Sequence, residues 1–288
     1  MKKIILLILL IFGILNLSQI FVYADGEQNK EFIQIVKEFI PSNSLLVSPE
    51  IPLSTQPIQQ YDFNQDGQKE IIITYEIKAK EQPSPSQYGV ILLKKEKKSW
   101  IKVWETKREA VGLHFSGFAD ITGDGINEYL FGWTIGASAG NQLEIFQWND
   151  RSFKMIAKVP YHKLDLLNEK KKVALAVWQR YIADTYFVDV LTWNGEKLIH
   201  NAELYSKYYP KIKRFFDAKL SKMDAWFYWY CLADAQLKAN LLDEASDSIH
   251  KGSMLAKNLP MLDVIQNFKE LSKRLKEKKK IPPLNERL

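Results

Sequence analysis

Two short loops hold the residues best suited to chemistry. They are Asp62-Phe63-Asn64-Gln65-Asp66-Gly67-Gln68-Lys69-Glu70 and Asp120-Ile121-Thr122-Gly123-Asp124-Gly125-Ile126-Asn127-Glu128. Each sets oxygen-bearing side chains at positions 1, 3, 5 and 9 with glycine at 6, and a strand-like run follows. Several oxygens converging on one point suit a hard cation such as Ca²⁺, and the glycine permits the sharp turn. The same spacing also makes a hairpin-entry turn without any metal, so both readings stand at this point. An EF-hand does not fit. Its bidentate acid at position 12 would be Ile73 in one loop and Phe131 in the other, and strand-like rather than helical runs flank both.

Other chemistry-bearing residues are weaker candidates. Gly136-Ala137-Ser138-Ala139-Gly140 spells a nucleophile elbow, which requires a strand, the serine and then a helix; here an alternating strand follows. His114, His162, His200 and His250 are scattered, with no Cys or Glu at metal-ligand spacing. The single cysteine, Cys231, forbids an internal disulfide and reads as a small buried apolar group. Glu70 and Glu128 occupy equivalent places in two similar loops, so they read as loop ligands before they read as a glycosidase acid/base pair. No phosphate-cradling glycine loop is present.

The elements that must position these residues follow from composition and period. Lys2 and Lys3 precede an apolar run, Ile4 to Leu17, and Val22-Tyr23-Ala24 supplies small residues for a cleavage site. Residues 1–24 read as a secretory signal peptide of bacterial style, the alternative being an uncleaved anchor and the chain's sole membrane contact. Residues 25–57 hold an amphipathic helix (Phe32, Ile33, Ile35, Val36, Phe39, Ile40), stopped by Pro41, and a Ser/Pro-rich connector. Residues 58–203 show short alternating apolar runs broken by Gly, Asn and Asp, the signature of antiparallel β structure. Residues 204–280 take helical spacing, and 281–288 form a tail. The formal charge of +6 is a mild excess, carried largely in runs such as Lys94 to Lys98, Lys170 to Lys172 and Lys278 to Lys280. Such runs read as solvated hairpin tips or helix ends, which argues against nucleic acid and leaves polyanion or cell-wall contact open.

The β region repeats itself. One common shift places Asp62 on Asp120, Asp66 on Asp124, Glu70 on Glu128 and Tyr75 on Trp133. A slightly smaller shift matches Tyr88 to Trp104 with Gln142 to Ile156. A third shift brings Trp133 onto Trp178, Trp148 onto Trp193 and Asp120 onto Asp165, although Asp165-Leu166-Leu167-Asn168-Glu169 has lost the glycine and the ninth-position acid. Periods of roughly 45–60 residues with about four strands each belong to propeller blades or arrays.

On these residues, and on the run Asp120 to Gly132 followed by Gly136 to Gly140 and Gln142 to Phe146, the chain resembles FG-GAP/VCBS repeats. The resemblance implies four-stranded blades with Ca²⁺ held between two strands. The ligands it implies are the side chains of Asp62, Asn64, Asp66 and Glu70 with the carbonyl of Gln68, and those of Asp120, Thr122, Asp124 and Glu128 with the carbonyl of Ile126. Three units cannot close a propeller, so the array must be partial, merged with neighbouring elements or completed by oligomerisation. Thr122 is a weaker ligand than an acid. Further on, Trp229, Leu232, Ala233, Ala245, Ile249 and Lys257 resemble one tetratricopeptide-like helix pair with Asn240 near its turn, and Leu262, Ile265, Phe268, Leu271 and Leu275 continue on a third helix. A plain helical hairpin fits them as well.

The expected fold class is therefore α+β: about three blade-like antiparallel units, partial and propeller-like, followed by a C-terminal helical bundle. The expected function is an exported, non-catalytic scaffold at the cell surface. Ca²⁺ is its expected cofactor, in the first loop before the second. Its helical tail would contact a protein or a cell-envelope polymer. The rival is an extracellular polymer-degrading hydrolase with its site between the β and helical parts.

Overall fold

The computed structural model describes residues 28–63, 65–80, 85–257, 259 and 262–280. The expected signal peptide, Asn64 and the 281–288 tail lie outside the described residues. An N-terminal helix, α1 (Gln28–Phe39), precedes three antiparallel sheets. The first holds β1 (Ser44–Leu46), β2 (Ile58–Tyr61), β3 (Glu70–Ile77), β4 (Ser86–Glu96) and β5 (Ser99–Ala110), with β1 and β2 sharing the free edge of β3. The second is the meander β6 (Gly112–Ala119), β7 (Glu128–Gly136), β8 (Gly140–Trp148) and β9 (Phe153–Tyr161). The third is the meander β10 (Lys163–Glu169), β11 (Lys172–Arg180), β12 (Tyr186–Trp193) and β13 (Leu198–His200). Four helices follow: α2 (Ala202–Leu220), α3 (Trp226–Lys238), α4 (Leu242–Ala256) and α5 (Leu262–Lys279).

The sheets stack face to face, and strand alternation divides their side chains between neighbours. On the first sheet, Ile72, Val90 and Leu92 pack against Tyr129, Phe131 and Trp133 of the second. The opposite face of the first sheet, Ile71, Ile73, Tyr75 and Leu93, is covered by Val36, Phe32 and Phe39 of α1. Leu130, Leu143 and Ile145 turn the other way and meet Leu175 and Val177 of the third sheet. The far face of the third sheet, Ala174, Ala176 and Trp178, receives Tyr205, Tyr208, Tyr209, Ile212 and Phe216 of α2 together with residues of α3. The alanines leave room for the tyrosines, and the Trp178 indole N–H donates to Tyr208 Oη at 2.9 Å. No closed propeller forms among the described residues. Helix α1 covers the outer face of the first sheet, and α2 and α3 cover that of the third.

The expected hairpin tips are found where charge runs were. Glu96 pairs with Ser99 and Glu169 with Lys172, leaving two-residue turns in which Lys97 and Lys170 hold positive φ. The third unit departs from the sequence alignment. Asp165 lies mid-strand opposite Ala176, not in a loop. Strand β11 is one residue out of step with the tryptophan shift, so Trp133 faces the first sheet while Trp178 faces the helices. A one-residue slip in a strand exchanges its faces, which is why matching tryptophans did not mean matching environments.

Among the helices, Asn201 caps α2 by accepting the Leu204 N–H at 2.9 Å. Helix α3 ends at Asn240, whose φ of 60° is left-handed, and the Leu241 N–H returns to the Gln236 carbonyl. Ala233 and Ala245 are fully buried where α3 meets α4, and Phe268, Leu271 and Leu275 of α5 complete that core. The aromatic run Trp226 to Tyr230 is shared between two cores. Tyr228 is buried against the third sheet, and Trp226 and Tyr230 border the α3–α5 cluster. None of the five is exposed.

Candidate functional site

The two acidic loops are built alike. Each leads into the second strand of its sheet, β3 or β7, and the final glutamate turns back underneath. Glu70 accepts the Phe63 N–H at 2.9 Å, and Glu128 accepts the Ile121 N–H at 2.8 Å, seven residues back in both cases. The first aspartate accepts the glycine N–H at position 6: Gly67 to Asp62 and Gly125 to Asp120, each at 3.0 Å. The second acid, at position 5, caps the residue two ahead, with Gln68 donating to Asp66 and Ile126 to Asp124 at 2.8 Å. Both loops hold positive φ at positions 4 and 6, through Gln65 and Gly67 in one and Gly123 and Gly125 in the other. Sequence reasoning found the glycine at 6 but missed position 4, where Gln65 hides the requirement that Gly123 displays.

The loops sit side by side. The Gln65 amide donates to the Gly125 carbonyl at 3.3 Å, and Asn127 hydrogen-bonds Tyr61 across the same seam. A second residue absent from the sequence-derived ligand sets enters from the neighbouring strand of each sheet. Lys94 of β4 places its ammonium 3.5 Å from Asp66 and 3.8 Å from Glu70. Gln147 of β8, its counterpart under the hairpin shift, donates to Asp124 at 3.3 Å. The hairpin repeat already aligned these two residues; their role was not visible, because strand pairing alone brings them beside the loops.

Burial sets the electrostatics. Glu70 and Glu128 are 1 % and 0 % exposed, and desolvation pushes both carboxyls above the ordinary glutamate value. For Glu128 the Thr122 and Ile121 N–H groups and the Thr122 hydroxyl oppose the rise; for Glu70 the Phe63 N–H and Lys94 do so. In the second loop every carboxylate oxygen of Asp120 and Glu128 already accepts a bond, with Gly123 donating to Asp120 at 2.6 Å and Thr122 Oγ1 to Glu128 at 3.0 Å. The first loop differs: Asp62 Oδ1 is buried with no hydrogen-bond partner among the described residues.

That unpartnered oxygen makes the first loop the better fit to Ca²⁺, a cation that bonds only oxygens. Asp62, Asp66 and Glu70 would supply carboxylate there and Gln68 its carbonyl, while the Lys94 ammonium competes for Asp66 and Glu70. In the second loop Asp120, Thr122, Asp124, Ile126 and Glu128 satisfy one another and the backbone. Among the described residues no cluster of three His, Cys, Asp or Glu side chains is poised to hold a metal.

The remaining residues singled out by sequence have structural partners. Ser138 lies in the β7–β8 hairpin closed by Gly136 and Gly140, and its carbonyl pairs with His162 Nε2 at 3.2 Å while His162 Nδ1 accepts the Arg180 N–H. His114 Nδ1 meets Tyr161 Oη at 2.7 Å, and burial holds the imidazole below its ordinary value against the pull of Glu50. His200 pairs with Asp189 at 2.5 Å. Burial pushes the Cys231 thiol up to about 12, against a hydrogen bond from Thr185. A groove of about 430 Å³ between the second and third sheets is lined by Val159, Val177, Leu191, Lys158, Lys197 and Lys238, with Asp189 its one carboxylate.

No protein-family model and no curated protein matches the chain. No described helix is long and apolar enough to cross a membrane.

Proposed function

We propose that the chain is an exported, non-catalytic scaffold whose three β units are FG-GAP/VCBS-like blades and whose C-terminal helices make contact with a protein partner. The observation carrying this reading is the division of labour along the stack. The sheets and the helices at each end use their apolar faces on one another, whereas α4 and α5 leave a groove open to the outside. The repeated loops serve the blades: their acids cap their own backbones and hold the strand entry rigid. Ca²⁺ in the first loop adds to that rigidity by satisfying Asp62 Oδ1. Export rests on the N-terminal residues Lys2 to Ala24.

The reading is tested by immobilising the chain and capturing partners from its native cell envelope, with α4 and α5 present and with the chain ended after Lys238. Circular dichroism confirms that the β signal survives truncation. Loss of captured partners on truncation is expected. Equal capture by both forms overturns the assignment of contact to the helices.

A further inference from the structure

The groove between α4 and α5 joins an apolar floor to basic walls. Its volume is about 550 Å³, and its floor is apolar: Phe268 is 3 % exposed and Ala256 1 %, with Ile265 half-buried beside them. One wall is the α4 face carrying His250, Met254 and Lys257. The other is the α5 face carrying Lys269, Lys273 and Lys276, spaced to fall on one side of a helix. Among the described residues no carboxylate lines the groove.

Three basic groups of α3 and α5 outside the groove meet acids. Lys238 and Arg274 share Asp234, and Lys279 reaches Asp243 at 3.1 Å. Lys257, Lys269, Lys273 and Lys276 form no ion pair among the described residues. Four unpaired ammonium groups around an apolar trough make a surface of one sign, which costs self-repulsion unless a polyanionic partner covers it. Met254 stands 57 % exposed on the rim, an adaptable thioether suited to a binding surface.

We infer that this groove docks an acidic segment of a partner protein that carries an apolar side chain, the side chain seated on Phe268 and Ala256 and flanking carboxylates met by the lysines. A peptide is favoured over an anionic bilayer because the apolar floor is recessed below the lysines, where a side chain reaches and a flat surface does not. The inference rests on the proposed scaffold reading and names the chemistry of its partner.

The test uses the full-length protein and a fluorescent peptide with one phenylalanine between two runs of glutamates, followed by anisotropy. Saturable binding at low salt is expected. It should weaken about tenfold or more in the Lys269→Glu/Lys273→Glu double variant, in about 1 M salt, where screening acts beyond roughly 3 Å, and when glycine replaces the phenylalanine. A Lys97→Glu/Lys98→Glu variant, altered at the distant β4–β5 turn, should bind as the wild type does. Met254→Asp, on the opposite wall, gives a second variant if the first is unstable. Absence of peptide binding, equal loss in both lysine doubles, or binding to anionic vesicles in place of the peptide overturns the proposal. Partner capture that depends on α4 and α5 without acidic-peptide binding would remove this assignment and leave the scaffold reading standing.

Discussion

Replacing Lys94 by glutamine gives the first loop the side chain that the second loop has at Gln147, and so isolates what the ammonium does. Lys94 lies 3.8 Å from Glu70, which is 1 % exposed, and 3.5 Å from Asp66, which is 36 % exposed. A bare Coulomb term at such distances is about 4 kcal/mol at an effective dielectric of 20. Lys94 is itself 24 % exposed, however, and solvent screening brings a pair of this kind to about 1 kcal/mol. In EGTA the Lys94→Gln protein should therefore melt about 2–4 °C lower than the wild type. Calcium should reverse the order of response. A site filled at about 100 times its Kd gains about 2.7 kcal/mol, and in the wild type part of that gain is offset by displacing the ammonium. The variant should thus gain more from Ca²⁺ than the wild type, as read by differential scanning calorimetry with and without millimolar Ca²⁺. Melting temperatures that do not respond to Ca²⁺ or EGTA in either protein refute the metal reading. Equal gains in both refute the role assigned to Lys94.

Three further outcomes follow from the packing. Glu128 has its carboxyl raised by burial, so its contribution to stability is fully present below the ordinary value of 4.5 and is lost as pH rises through the higher folded value. Glu128→Gln should flatten that part of the stability–pH curve, as read by urea unfolding at a series of pH values; an unchanged slope would show that another group carries it. Gly132→Ala would set a methyl 2.5 Å from Tyr161 Oη and 2.8 Å from Phe115 Cβ, between buried side chains. A loss of about 1–3 kcal/mol is expected from such overpacking, measured as a lower urea midpoint, and no loss would mean that the strands separate freely. Asn240→Val forces a β-branched residue to φ 60° and should cost about 1–2 kcal/mol, whereas Asn240→Gly should cost nothing measurable by thermal melting.

Much of the β region was legible in the sequence because its turns are chemical. Asp62, Gly67, Asp120 and Gly125 announce loop geometry, and Lys-Lys turns sit between alternating runs. The paired loops came through intact: their acids, glycines and strand entries match in space as they do in sequence. What failed was register in the third unit, because tryptophan identity carries no information about strand phase and a single-residue slip redirects every side chain. The sealing of the stack was also invisible. Helical periodicity in α1 and α2 shows an apolar stripe but not which surface it covers. Lys94 and Gln147 were missed for the opposite reason: each is an ordinary polar residue whose role exists only once strands pair.

Helices at both ends of the stack have a consequence for how such a protein changes size. Each sheet presents two apolar faces, so an added or lost meander leaves the same kind of face for its neighbour or for a terminal helix to cover. A ring must keep a fixed number of units to shut. A row bounded by stoppers has no such number, and its length is free to vary one sheet at a time while the ends stay as they are. The spacing between α1 and the C-terminal helices is then an adjustable dimension, set by duplication or deletion of a single meander.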